Sequence, residues 1–505
     1  MEGQPNDAPA QGIPPKKNKG LSVGFNLDLS VIHVYERSYS LDSSASDQDE
    51  SKIWKKGDFL ISLIALTVGF GNIFRFPFTA YRNGGGTFLI PYLIMHTLVG
   101  RPIYFLQLAL GPGDDWGTLR SASAFNESVL GCNDTDLSAA FNVATGEKSS
   151  VSLAQLYFKN EVSSSQRAIT LPNAWEGIKF FIIPDWTAML NAKVWYAAVT
   201  QCLFSLNTGF GPLTMLGSHN KFDHNVYRDA WIVSGIDLFT SIFAGVTVFA
   251  VLGNLAGTLD VNIKEVTYAE NELALIVFAQ GVSSFTWLPQ LFSIMFYLML
   301  FVLGVVTATA YAGAVVAVIS DQFPKITRFY AASCITMTGF VIGLIYVTPG
   351  GSVMVRLADY YGARMVIFLM TAAEVTGVAW IYGADKFLKD LEFMLGKKLG
   401  WYWKFCWCYF IPGGFTAILL SSLAQGLYAP LYKGEPIAGF SIILGWMFTF
   451  VAISALPIGA YHSVWSIRAG SFKKKFQEAL KPSDDWGPQR SDLRREWIQF
   501  KEKTS

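Results

Sequence analysis

The sequence predicts an all-α membrane protein, a bundle of about nine transmembrane helices of which two are broken within the membrane. Three observations support this prediction. Hydrophobic residues make up 51% of the 505 residues and charged residues only 15%, too little polar surface for a soluble protein of this length. Apolar stretches long enough to cross a hydrocarbon core of roughly 30 Å recur from Leu60 onward. Two of these stretches carry glycine pairs near mid-depth.

Apolar length and composition define the predicted spans. They lie near Leu60–Phe78, Tyr92–Leu110, Val194–Leu216, Trp231–Leu252, Leu291–Ile319, Phe329–Val347, Val366–Trp380, Trp407–Tyr428 and Ala438–Ile458. The predicted organisation is a disordered cytosolic tail (1–53), spans one and two (54–110), a polar loop (111–193), spans three to nine (194–468) and a basic cytosolic tail (469–505).

The polar loop conflicts with this topology. Basic residues place both tails in the cytosol, which nine spans cannot satisfy. The loop also carries glycosylation acceptor motifs at Asn126 and Asn133, which need the outer side of the membrane. One such motif arises easily by chance, but two within ten residues favour an outside loop. An odd number of spans missing around the loop would resolve the conflict.

The first and third spans are predicted to be broken helices. Gly69 and Gly71 flank Phe70 in the first span. Broken helices in a membrane line a site, where freed carbonyls can bind Na⁺ and exposed N–H groups can hold a carboxylate. The alternative is that the glycines serve only close helix packing. The third span has the same pattern, with Gln201, Ser205, Asn207, Gly209 and Gly211 at mid-depth.

Ionisable residues within spans are costly and therefore candidates for function. Arg75, Asp237 and Glu374 are such residues. Asp359 lies at a span edge, where it either pairs with Arg75 or is solvated. Glu374 can also be explained by a pair with a neighbouring helix, so no role is assigned to it. The net charge of +1 gives no reason to expect a nucleic-acid partner. No nucleophile–base pair, metal cluster or phosphate loop indicates an enzyme.

The segment GFGNIFRFPFTAYRNGGGTFLIPYLI resembles the first-span signature of the neurotransmitter:sodium symporters. The resemblance extends through KVWYAAVTQCLFSL, HNVYRDAWIVSGIDLFTSIFAG, SDQFP and LKPSDDWGPQ, and is nearest to insect sodium-dependent nutrient amino acid transporters. It implies an incomplete 5+5 inverted-repeat, leucine-transporter-like fold. After LQLALG, the polar residues PGDDWGTLRSASAFNES stand where the family has its third span. The third to fifth spans are missing, the odd number that topology requires.

The resemblance implies two sodium sites and a chloride site. Family members often have Asn where this chain has Asp237, whose charge would strengthen cation binding and relax selectivity toward K⁺. The first sodium site would use the Thr67 carbonyl, Asn72, Ser205 and Asp237. The second would use the carbonyls of Ala65, Val68 and Leu303 with the Thr307 hydroxyl, next to Val306. Hydrogen-bond donors for chloride would come from Tyr92, Gln201, Ser205 and Ser241.

The substrate position is implied at Gly69, Gly71 and Phe204. Glycine at position 69 is the family's choice for an amino acid substrate, which brings its own carboxylate. Arg75 and Asp359 would form the outer gate with Phe204 as a lid. Asp321 matches half of the cytosolic gate, although Ser51 replaces the usual arginine partner.

The expected function is sodium-coupled symport of neutral amino acids across the plasma membrane by alternating access, with chloride as a candidate additional ion and K⁺ as a candidate substitute. The alternative is a non-transporting truncated form that binds and regulates full-length transporters. The expected partners are a small amino acid, membrane lipid and further copies of this or a full-length transporter in an oligomer.

Overall fold

A computed structural model describes the chain at residues 58–111, 168–218, 220, 222–263, 266, 289–323, 325–424, 431–432, 435–436, 439–467, 471–482, 486–488 and 491–504. These residues are almost entirely helical, which confirms the predicted all-α class. The predicted tail 1–53 and both glycosylation motifs lie outside the described residues, and so does the side chain of Asp321.

The first two spans form the N-terminal part of the bundle. Helix α1 ends where Gly69 and Gly71 follow, and Pro77 lies in the first turn of α2, where the missing N–H is tolerated. Gly84 and Gly85, with positive φ, make the turn into the second span. The elements are α1 Asp58–Thr67, a π-helical segment Gly71–Arg75, α2 Phe76–Arg82, α3 Gly86–Met95, a π-helical segment His96–Gly100 and α4 Arg101–Leu110.

The next part begins within residues 111–193, the predicted polar loop, where residues 174–182 form a helix that the sequence analysis did not predict. Its Phe181 is fully buried and stacked 4.9 Å from the Phe249 ring. Gly253 permits this contact, because a methyl group there would lie 2.6 Å from the Gly177 nitrogen. The elements are α5 Ala174–Ile182, a 3₁₀ turn Ala188–Leu190, α6 Ala192–Ser205, α7 Pro212–Ser218 and α8 Val226–Leu259.

Within its described residues, the C-terminal part contains the remaining helices and a short antiparallel strand pair, with Leu431 opposite Pro436. Trp407 ties this part to the second span by donating to the Pro102 carbonyl (3.0 Å). The helices are α9 Pro289–Gln322, α10 Arg328–Tyr346, α11 Gly351–Leu357, α12 Met365–Thr376, α13 Ala384–Leu395, α14 Trp401–Phe405, α15 Ile411–Ala424, α16 Gly439–Ser466, α17 Phe472–Ala479 and α18 Ser491–Thr504. π-Helical segments lie at Ala358–Arg364, Gly377–Gly383 and Cys406–Phe410, and the strands are β1 Leu431–Tyr432 and β2 Glu435–Pro436.

Seven helices in the described part are long and apolar enough to cross a membrane. The third predicted span is absent from this set because it is split into α6 and α7, and the eighth corresponds to the run from α14 to α15. Exposed apolar side chains such as Phe340 and Val341 on α10 suit a lipid-facing surface. The seven helices are Phe59–Arg82, Gly86–Leu110, Val226–Leu259, Phe296–Ser320, Arg328–Tyr346, Gly351–Leu395 and Ile442–Ser466.

Candidate ion and substrate site

The two predicted helix breaks are present, and they face each other. Helix α1 ends at Thr67. The Val68 N–H still donates to the Ile64 carbonyl (2.8 Å), but the Gly69 N–H donates to Asn72 Oδ1 (3.2 Å) and no longer continues the helical ladder. The second break lies between α6 and α7, where Asn207, Gly209 and Gly211 have positive φ. Asn207 Nδ2 donates to the Leu66 carbonyl (2.8 Å), which joins the two breaks directly. Unpaired backbone groups within a membrane are thereby partly satisfied by amide side chains.

The residues predicted for the first sodium site form one buried cluster. Asp237, from the middle of α8, receives hydrogen bonds at Oδ1 from Ser205 Oγ (2.7 Å) and Asn72 Nδ2 (2.8 Å). All three side chains are at most 1% exposed. Thr67 is also buried, in the last turn of α1, and lines the same cavity as Ser205. Carboxylate, amide, hydroxyl and carbonyl oxygens of this kind suit a hard cation.

The second predicted sodium site places α9 beside the break after α1. Thr307 Oγ1 lies close to Gly69: a methyl group added at Gly69 would be 3.6 Å from it. The same hydroxyl donates to the Leu303 carbonyl (3.0 Å). Ala65 lies in the last turn of α1 and Val68 immediately after it. Val306, also predicted here, is buried on α9.

The residues predicted for chloride are buried but already hydrogen-bonded. Tyr92 OH donates to Ser241 Oγ (3.4 Å), and Ser241 Oγ accepts from Asn72 Nδ2 (3.0 Å). Gln201 Nε2 donates instead to the Gly71 carbonyl (2.9 Å). Ser205 donates to the Asp237 carboxyl group, so one hydroxyl donor of this set is already used within the protein.

The predicted outer-gate residues are in direct contact. Arg75 Nη1 donates to Asp359 Oδ1 (3.0 Å), and its guanidinium lies 3.6 Å from the centre of the Phe204 ring. Arg364, which sequence reasoning did not identify, donates to Asp359 Oδ2 through Nε (2.9 Å) and Nη2. Asp359 is therefore paired with two arginines, Arg75 as predicted and Arg364, and its side chain remains 29% exposed. Contact at both carboxylate oxygens fixes its orientation.

A cavity of about 710 Å³ lies between the two helix breaks and the outer-gate pair and is lined by Thr67, Ser205 and Thr307 of the predicted sodium sites. Its volume is in the range of small-molecule pockets. Gly69, Gly71 and Phe204, the predicted substrate residues, line it together with Arg75 and Asp359. The same space is lined by Tyr311, whose hydroxyl donates to Asn207 Oδ1 (2.7 Å).

Two polar residues of the second span, His96 and Gln107, were missed, although their partners Asp237 and Glu374 had been identified; the Gln107 contact is the pair with a neighbouring helix that was one explanation of Glu374. His96 Nε2 lies 3.1 Å from Asp237 Oδ2, and Gln107 Nε2 donates to Glu374 Oε2 (2.7 Å). Gln107 Oε1 also accepts from the Gly209 N–H (3.1 Å), so this pair supports the second helix break. The available signal was a polar residue in each otherwise apolar stretch of the second span.

Comparison with known sequences identifies the family. The profile of the sodium:neurotransmitter symporter family matches residues 51–126 and 165–467. The chain belongs to this family. It is therefore a multi-pass membrane transporter of the symporter class and not an enzyme, as the sequence predicted.

Insect relatives align with most of this symporter. Similarity to the sodium-dependent nutrient amino acid transporter 1 of Drosophila virilis is 34% identity over 575 residues, covering 90% of each chain. The protein of the same name from Drosophila melanogaster is 33% identical over 574 residues, covering 89% of each chain. The aligned part of this chain is 90% of its 505 residues, or about 455 residues. About 120 of the 575 alignment positions therefore have no counterpart in this chain. The family match is interrupted at residues 127–164.

Proposed function

We propose that this chain is a sodium-coupled symporter of neutral amino acids that acts in the plasma membrane with both termini in the cytosol. The observation that carries the proposal is the pair of facing helix breaks, with a buried Asp237–Asn72–Ser205 cluster and an adjoining cavity. The relatives' name, sodium-dependent nutrient amino acid transporter, supports both the ion and the substrate class.

The cavity explains how ion and substrate would depend on each other. Gly69 and Gly71 bring no side chain, so a substrate carboxylate can approach the backbone where α1 ends. A cation held by Asn72 and Asp237 would lie beside that carboxylate. Each ligand then raises the affinity of the other, and binding of both favours closure of the gate formed by Arg75 and Asp359.

The negative charge of Asp237 distinguishes cation coupling from chloride coupling. Its carboxylate lies 2.7 Å from Ser205 Oγ, so it supplies within the protein a charge that chloride would otherwise bring. We expect uptake to continue when gluconate replaces chloride, and K⁺ to support part of the uptake seen with Na⁺. A complete loss of uptake in gluconate would instead show that chloride is required.

The alternative function is regulation of full-length transporters. About 120 aligned positions without a counterpart are enough for three spans with their loops, which favours this alternative. Under it, the chain would take up no amino acid but would change the amount of a co-expressed full-length relative at the cell surface.

Radiolabelled uptake in oocytes separates the two functions. Sodium-dependent leucine uptake above that of uninjected cells, inhibited by neutral but not by basic or acidic amino acids, would support the transporter. The Asp237→Asn variant, with equal surface expression, is the control for the cation site. No uptake in any cation, together with altered surface level of co-expressed Drosophila melanogaster transporter, would support the regulator.

A further inference from the structure

A second ionisable group faces the predicted cation site from the second span. His96 begins the π-helical segment His96–Gly100, and its Nε2 lies 3.1 Å from Asp237 Oδ2. Both side chains are 0% exposed. Burial of two ionisable groups within a membrane bundle is costly unless they interact. Neither packing nor the ion ligands predicted from sequence account for this histidine.

The two oxygens of the Asp237 carboxylate have separate partners. Oδ1 accepts from Ser205 and Asn72, the two side chains that share the predicted sodium site with it. Oδ2 faces His96. A carboxylate on a single rotatable bond would turn if the contact at Oδ2 were lost, because an unpaired buried oxygen is unfavourable. The histidine contact therefore fixes the orientation of the carboxylate, with one oxygen directed at Ser205 and Asn72 and the other at His96.

The imidazole is itself held by one nitrogen. Its Nδ1 has no hydrogen-bond partner among the described residues, so Nε2 is the atom that links it to polar neighbours. The Tyr92 ring packs beside it with the ring centres 5.8 Å apart. This environment directs Nε2 to Asp237, and carboxylates that ligate metal ions in proteins are commonly oriented by such hydrogen bonds from neighbouring side chains.

We infer that His96 is a positioning residue for the cation: by donating to Asp237 Oδ2 it holds Oδ1 toward the ion and thereby sets cation affinity and selectivity. The inference rests on the proposed function, in which Asp237 binds the cotransported ion. It assigns a role in ion recognition to the second span, outside the two broken helices.

Two polar substitutions test the position of the donor. The side-chain amide of His96→Gln can place nitrogen where Nε2 lies, whereas that of His96→Asn reaches only as far as Nδ1. The purified full chain in detergent would be melted across NaCl and KCl concentrations at constant ionic strength with choline chloride. Ligand binding to the folded state raises the melting temperature, so the titration midpoint reports cation affinity.

We expect His96→Gln to keep the Na⁺ midpoint within twofold of the unsubstituted chain. His96→Asn should raise it at least fivefold and should reduce the ratio of K⁺ to Na⁺ midpoints at least threefold. The matched control is His224→Asn, which perturbs a second His–Asp pair, with Asp229 (2.6 Å). It should lower the melting temperature without moving either midpoint.

Each outcome decides the inference. If Gln and Asn at position 96 give equal midpoints, whether shifted or not, the position of the donor has no effect and the inference is wrong. If Na⁺ does not stabilise the unsubstituted chain, the proposed cation site is wrong as well. The same holds if Asp237→Asn has the same Na⁺ midpoint as the unsubstituted chain. If Asp237→Asn changes the Na⁺ midpoint but the two position 96 variants do not differ, the inference about His96 is wrong and the proposed cation site stands.

Discussion

The C-terminal helix α18 is predicted to detach when Asp390 is neutralised. Asp390, on α13, is fully buried, and its Oδ1 accepts from Trp497 Nε1 and Lys501 Nζ, both at 2.9 Å. Its Oδ2 accepts from Tyr382 OH and faces Trp486 Nε1 at 3.4 Å. In Asp390→Asn the ion pair with Lys501 is lost, and an amide N–H₂ replaces one of the two carboxylate acceptors.

The magnitude follows from the burial of the pair. Breaking a fully buried ion pair costs about 3–5 kcal/mol. Lys501 is 30% exposed, so screening reduces this value to about 2 kcal/mol. A difference of about 2 kcal/mol in the local opening of α18 corresponds to about 30-fold in the population of the open form. Tryptic cleavage within α18 should accelerate by that factor when opening is fast relative to cleavage.

The assay is limited proteolysis of the purified chain, followed with an antibody to the C-terminal residues. Lys481→Gln is the control, because its ion pair with Glu478 is exposed at both partners and contributes little. Its cleavage rate within α18 should stay within twofold of the unsubstituted chain. An Asp390→Asn rate no faster than that of the control would show that the buried carboxylate does not hold the tail.

Three further predictions concern the site, the loop and the core. Asp237→Asn should raise the Na⁺ midpoint of thermal stabilisation at least tenfold and remove any K⁺ response, since the buried formal charge is lost; equal titrations would contradict this. Glycosidase treatment should lower the apparent mass of the cellular protein, and Asn126→Gln with Asn133→Gln should abolish that shift if the loop is outside. Phe181→Ala should destabilise the protein by about 3 kcal/mol, because it empties a fully buried position, whereas Ile182→Ala on the exposed face of the same helix should change the melting temperature little.

Local patterns predicted the parts of the fold that depend on local chemistry. Glycine pairs indicated both helix breaks, because a break needs backbone freedom at that position. The helix at 174–182 was missed because NAWEGIKFFI is short and lies between polar residues. Its stability comes from packing against α8, where glycines allow close approach. A segment of nine residues is too short for its hydrophobic periodicity to indicate that contact.

In the candidate site, too, residues with a local sequence signal were predicted and residues that depend on tertiary packing were not. Asp237, Asn72 and Arg75 were identifiable, since polar residues within spans are rare and costly. Arg364 was missed because it stands near a span edge, where a charged residue is ordinary. His96 was missed because its importance lies in a partner 141 residues away. A polar residue in an apolar stretch was visible in the second span, but its pairing with a distant segment is a property of tertiary packing that the stretch alone does not reveal.

Ion binding and transport are separable in this chain. The ligands predicted for both cation sites come from α1, the π-helical segment after it, α6, α8 and α9, all of which are present. The aligned positions without a counterpart contribute to none of them. Cation-dependent stabilisation therefore tests the site whether or not the chain moves substrate. Stabilisation by Na⁺ without amino acid uptake would mean that the missing segment serves translocation and leaves recognition of the ion intact.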